Sequence, residues 1–240
     1  MYSLVFYSHS DYSDAWKPMF GQTDKYYGSD YKKYLFVNKG EYEVPDGWEF
    51  VFYEDSQPYN HRVSTCLSQL PPENIIIFHH EDMFLFDEPK KEMISGFCEK
   101  VESGKINFIK LCKASYSEGY RFFEHSDNLF YNPPDLLFAI QPTICKVKDL
   151  MSLYVQTPAK NGWELELRAS QTCMANSFVC CCSTLTSEKK LGLFHWESQI
   201  YPYFITAIVK GKWNLAEYPK KLVKVLENYN VNPDTRGSNL

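Results

Sequence analysis

The sequence predicts an α/β fold, a mostly parallel central sheet flanked by helices, Rossmann-like in its first half and less regular in its second. Three observations predict it. Short apolar runs of strand length recur, and each ends in a polar or acidic cluster. Apolar residues at helical spacing separate the later runs. One run, Asn74-Ile-Ile-Ile-Phe78, is apolar on both faces, as a central parallel strand must be.

Taken in order, Leu4–Tyr7 reads as a strand opening into the polar loop Ser8-His9-Ser10-Asp11. Tyr34–Asn38 and Trp48–Tyr53 repeat that form, the latter running into Glu54-Asp55. Arg62–Leu70 carries Val63, Cys66, Leu67 and Leu70 on one helical face, and Pro71-Pro72 stops it. The central strand then ends in His79-His80-Glu81-Asp82. A second helix spans Pro89–Glu102, with Met93, Ile94, Phe97 and Val101 inward and Gly104 just beyond. Such alternation is that of a doubly wound sheet.

The later half is expected to hold strands at Ile106–Leu111, Leu137–Ile140 and Ser177–Leu185 and helices at Lys146–Tyr154 and Glu217–Tyr229. A polar tail, Asn232–Leu240, is expected to fray. With no internal repeat or low-complexity linker, one domain is expected over 1–240, split near residue 105 into a regular first half and a less regular second half running to about 231.

A formal charge of −5 and an isoelectric point near 5.7, with no Lys/Arg cluster beyond a short pair, argue against a nucleic-acid binder. The N-terminus enters an apolar run without a basic region or cleavage site, and no stretch has the roughly 20 apolar residues of a membrane span. A cytoplasmic protein, in a host cytoplasm if viral, is therefore expected. The eight cysteines are scattered or consecutive, with no Cys-x-x-Cys pair, which fits reduced buried thiols rather than disulfides or a structural zinc site.

Ligands of open α/β sheets bind outside the carboxyl ends of the strands. Here that edge carries Ser8–Asp11, Asn38, Glu54-Asp55 and His79–Asp82. A carboxylate pair set between two apolar runs costs several kcal/mol unless compensated. Mn²⁺ or Mg²⁺ bridging a diphosphate would compensate it, since these cations take one or two carboxylates plus phosphate oxygens. Arg62, read at the start of a helix just past Asp55, suits a diphosphate contact.

The stretch His80-Glu-Asp-Met-Phe-Leu-Phe-Asp87 resembles the variant DxD motif of small GT-A-type glycosyltransferases of bacteria, phages and large DNA viruses. Tyr7-Ser-His-Ser-Asp-Tyr-Ser-Asp-Ala-Trp16 is similar to their opening motif, and Ile208–Pro219 with Arg236-Gly237 to their ending. The likeness spans most of the chain in order and departs at Glu81-Asp82, where the family has Asp-x-Asp. It implies a nucleoside-diphosphate sugar donor, UDP- or GDP-linked, a divalent metal, and a glycan or glycoconjugate acceptor. It implies Ser8, His9, Ser10 and Asp55 around base and ribose, Asp82 as metal ligand, Glu81 beside the donor, and His195 as a further ligand.

Inverting transfer needs a base for the acceptor hydroxyl, which in such enzymes opens a helix in the later half. In Asn161-Gly-Trp-Glu-Leu-Glu166 the candidates are Glu164 and Glu166, roughly 200° apart if helical. Glu164 is the first choice, beside Trp163 as a sugar-stacking ring. Two other readings stand against this one. A sugar nucleotidyltransferase would need a Gly-rich basic loop after the first strand, which Ser8–Trp16 lacks. A non-catalytic nucleotide-sugar or glycan-binding module would lack the base or the metal carboxylate.

Overall fold

A computed structural model describes residues 2–117, 119–123, 128–191 and 195–239, apart from the side chains of 189–191 and 195. β1 (Ser3–Tyr7) leads through a 3-10 turn (Ser10–Ala15) into α1 (Trp16–Tyr27), then β2 (Lys33–Asn38), β3 (Trp48–Tyr53), α2 (Tyr59–Leu67), β4 (Ile75–His80) and α3 (Lys91–Glu102). β5 (Phe108–Lys110), β6 (Arg121–Phe122), β7 (Phe130–Asn132) and β8 (Thr143–Lys146) follow. Next come α4 (Val147–Gln156), α5 (Gly162–Ala175), β9 (Cys180–Ser183), and a hairpin of β10 (Thr186–Leu191) and β11 (His195–Ser198). β12 (Ile208–Val209), β13 (Lys212–Asn214), α6 (Lys221–Asn228) and β14 (Ser238–Asn239) close the chain.

The main sheet runs β3-β2-β1-β4-β8-β5-β9-β7-β6. β1 to β4 are mutually parallel, and β8 opposes both its neighbours, so β5 and β9 point the same way as the first four. The α/β expectation holds. β4 lies between β1 and β8, and its run Ile76-Ile-Phe78 is wholly buried, which is why it carries β-branched residues on both faces. Each such side chain contributes about 1.5–3 kcal/mol of hydrophobic burial. α2, α4 and α5 pack against one another, while α3 packs on β4, β5 and β8.

Four expectations are corrected. Leu137–Ile140 forms no strand, because α5 takes its backbone donors: Leu137 N–H donates to Ser170 Oγ at 3.0 Å and Ile140 N–H to Glu166 Oε1 at 2.6 Å. The strand of that region is β8, just beyond. The helix α1 was unforeseen, since Pro18 and Gly21 interrupt its pattern. Pro18 sits in the first turn, where no N–H is needed, and Gly21 leaves room for the Tyr229 ring, which a Cβ would meet at 2.0 Å. The tail does not fray: β14 pairs with β13, and Asn239 Nδ2 donates to Val209 O. Arg62 lies one turn inside α2, which begins at Tyr59, and so is not at the helix terminus. All eight cysteines are free and buried. Among the described residues no helix is long and apolar enough to cross a membrane.

Candidate functional site

The chain leaves β1 for β2 on one side and later returns to place β4 on the other, so β1 and β4 flank a topological switch point. A crevice opens there beyond the strand ends. At that edge the chain continues from β1 as Ser8–His9 and from β4 as Glu81-Asp82, joined by Glu81 N–H donating to Tyr7 O at 3.1 Å.

On the β2–β3 side the polar groups hold one another. His9 Nδ1 accepts the Asp11 N–H at 3.1 Å, which leaves the ring proton on Nε2, 3.2 Å from Asp55 Oδ2. Asp55 Oδ1 receives Arg62 at 2.9 Å, and Arg62 also donates to the carbonyls of Gln57 and Asp55. Asn38 accepts the Ser10 N–H at 2.9 Å and donates to Ser10 Oγ, tying β2 to the loop after β1. Ser8 is fully buried: its hydroxyl accepts the Trp16 indole N–H at 2.7 Å and its carbonyl the Tyr53 hydroxyl. Ser8 therefore shapes the loop from beneath rather than lining it.

On the β4 side the acids are less well provided. Burial pushes both carboxyl groups up, Asp82 to about 7, and the neighbouring Asp82 charge raises Glu81 further. The cation acting on both is Arg236, which is itself clamped on Asp14: Nε donates to Oδ2 at 2.8 Å, and a second bond reaches Oδ1. Arg236 also donates to Asp11 O and lies over the Tyr12 ring at 4.7 Å. Among the described residues no group of three or more His, Cys, Asp or Glu gathers around a point. Of the two acids Asp82 lines the cleft, and one carboxylate there suits Mn²⁺ or Mg²⁺ completed by phosphate oxygens and water rather than a closed protein cage. His195 falls on β11, and its side chain lies outside the described residues.

From Asp82 a cleft of about 630 Å³ leads to α5. Asp82, His80, Gln141, Thr206, Trp163 and Glu166 are among its lining, and none of the described lining residues is Lys or Arg. The two glutamates separate clearly here. Glu164 serves the helix start: its carboxylate accepts the Lys160 N–H at 3.0 Å while its own N–H donates to the Asn161 side-chain cap at 2.9 Å. Glu166 faces the cleft, with one oxygen on the Ile140 N–H. Burial raises its pKa above the ordinary carboxylate value, opposed by that N–H and by Lys110.

Arg236 and Tyr116 went unread as site residues in the sequence, whereas His80 already stands on the polar edge that the sequence places at 79–82. Arg236 was noted for its place in the ending motif and not as part of the site. His80 lines the cleft as a neutral ring, its pKa pushed down to about 4 by burial, 2.7 Å from the Tyr59 hydroxyl. Its neighbour His79 is buried among Val5 O and the Tyr201 hydroxyl, so alternation along β4 sends one histidine to the core and one to the rim. Tyr116, at the cleft mouth, comes from an irregular loop without any sequence signal.

No family model matches the chain, and no curated protein matches it. Several solved structures overlap it. Staphylococcus aureus TarS 1–349 is 10% identical over 97% of this chain and 66% of that one, with a TM-score of 0.48. The 2-C-methyl-D-erythritol 4-phosphate cytidylyltransferase (IspD) of Francisella tularensis is 9% identical over 77% of this chain and 91% of that one, with a TM-score of 0.45. The WbbM bifunctional glycosyltransferase is 10% identical over 80% of this chain and 47% of that one, with a TM-score of 0.43. Likeness this remote reaches no further than general shape, and the chemistry rests on the chain's own residues.

Proposed function

We propose that this protein is a metal-dependent glycosyltransferase of GT-A type, acting as one domain and moving a sugar from a nucleoside-diphosphate donor to a glycan or glycoconjugate hydroxyl. One observation carries the reading: Asp82 at the switch point and Glu166 on α5 line the same cleft, and no described Lys or Arg lines it with them. A diphosphate entering there needs a cation from solution.

The nucleoside lies toward the network of His9, Asp55 and Arg62, with Asn38 and Ser10 holding its loop. Asp82, with Glu81 next to it in the chain, would hold Mn²⁺ or Mg²⁺. The cation, when bound, neutralises charge on the departing diphosphate. Glu166 accepts the proton of the acceptor hydroxyl, and a raised pKa makes it the stronger base. The Ile140 N–H fixes that carboxylate, leaving its second oxygen for the acceptor. Attack from the α5 side, opposite the diphosphate, inverts the anomeric centre. Glu166 thus takes the role first expected of Glu164, whose carboxylate caps its own helix.

The test is thermal stabilisation by UDP-, GDP-, dTDP- and CMP-sugars, with and without Mn²⁺, on wild type and Asp82→Ala. A ligand at 100 times its Kd adds about 2.7 kcal/mol of apparent stability. The expected result is a metal-dependent shift with one nucleotide class, absent in Asp82→Ala. A panel that leaves the wild type unmoved would sink the proposal.

A further inference from the structure

Trp163 is 69% exposed and Tyr116 49% exposed, yet both belong to the lining of the cleft. Neither ring contributes to the core. An indole left in water at a cleft mouth forgoes the burial that Trp normally obtains.

Each ring stands on a fixed backbone. Trp163 occupies the first turn of α5, where the Asn161 side chain caps the Glu164 N–H at 2.9 Å and Glu164 holds the Lys160 N–H. Tyr116 N–H donates to Asp135 Oδ1 at 3.1 Å, and Ser117 binds the other oxygen through its N–H at 3.0 Å and its hydroxyl at 2.8 Å. A preorganised aromatic surface loses little entropy on meeting a ligand.

Position completes the argument. Trp163 precedes Glu166 by three residues, so the two share one face of α5, about 4.5 Å apart along the axis. That separation is close to the length of one sugar ring. The lining of the cleft also includes the neutral Gln141 and Thr206, and no described cation lines it to meet a phosphate, sulfate or uronate.

We infer that Trp163, with Tyr116, forms an acceptor subsite that stacks on the face of an uncharged sugar ring adjoining the ring whose hydroxyl reacts at Glu166. The acceptor is therefore a neutral oligosaccharide, free or as the outer part of a conjugate, rather than a polypeptide side chain or an anionic glycan. This rests on the glycosyltransferase reading for its location beside the base, but binding can be tested without turnover.

The experiment is a titration of the protein, with and without Mn²⁺ and a nucleotide sugar, with maltotriose, cellotriose, mannotriose, N-acetylchitotriose and trigalacturonate. Tryptophan fluorescence and ligand-observed NMR give the affinity. At least one neutral trisaccharide is expected to bind, with affinity falling tenfold or more in Trp163→Ala and largely restored in Trp163→Phe. The nucleotide-sugar melting shift should be the same in Trp163→Ala as in wild type. Binding of none of the neutral sugars, binding indifferent to Trp163→Ala, or a preference for trigalacturonate would each overturn the inference. Trp163-dependent glycan binding without any nucleotide-sugar shift would uphold the subsite and overturn the transferase reading.

Discussion

Two sides of one sheet edge treat charge in opposite ways. Beyond β2 and β3, His9 Nε2 and the Arg62 guanidinium both reach the Asp55 carboxylate, at 3.2 and 2.9 Å, with Asp55 more than half exposed. Beyond β4, Glu81, Asp82 and Glu166 are acids whose pKa values burial raises. The first arrangement is complete as it stands and orients a loop. The second is costly as it stands, because burial outweighs what Arg236 and Lys110 return to these acids. Sites that hold such a cost are where a ligand has most to contribute.

The largest effects should come from the costly side. Asp82→Asn and Glu166→Gln are each expected to lower sugar transfer by about 10²–10⁴-fold, measured as kcat on whichever donor stabilises the protein. Equal activity in Glu166→Gln would return the choice of base to Glu164. A pH profile sharpens the same point. The Glu166 pKa is raised, and the base works only when deprotonated, so kcat/KM should rise with pH with a midpoint above the usual Glu value of about 4.3. Glu166→Gln should remove that acid limb.

Arg236 connects the two sides, since it is clamped on Asp14 while its charge acts on Glu81 and Asp82. Arg236→Ala is expected to cost about 1–3 kcal/mol, read by denaturant unfolding, because it removes charge-assisted bonds that anchor the tail. On the satisfied side Asp55→Asn should raise the donor KM less than about tenfold with kcat unchanged, since exposed pairs are worth little. A collapse of kcat there would dissolve the contrast. The smallest effect is reserved for Glu164→Ala: about 0.5–1 kcal/mol of stability from a lost helix-start contact, with turnover within a few-fold of wild type.

Much of the first half was legible in the chain. β3 begins and ends where its pattern does, and β1, β2, β4 and α3 differ from expectation by a residue or two, because parallel strands buried on both faces write their apolar runs plainly. In the later half β5, α4, β9 and α6 also fall within or near their expected runs, but Leu137–Ile140 does not. Glu166 and Ser170 satisfy the backbone of residues 137–140, so an apolar run that reads as a strand becomes a bend. α1 stayed hidden because Gly21 looks like a helix breaker until the Tyr229 ring, over 200 residues on, is seen to need its space.

Local pattern by itself determined the α/β class, the polar rim at the strand ends and the acidic pair after the central strand, since period, burial and turn chemistry act over a few residues. With the family resemblance it offered two glutamates as the candidate base and could go no further, for both are charged residues in one helical turn. Only the tertiary structure tells the two apart, by turning Glu164 to the Lys160 N–H and Glu166 to Ile140 and the cleft. It also brought Arg236 from the far end of the chain to Asp14. Such contacts depend on which surfaces meet in space, and no local periodicity encodes that.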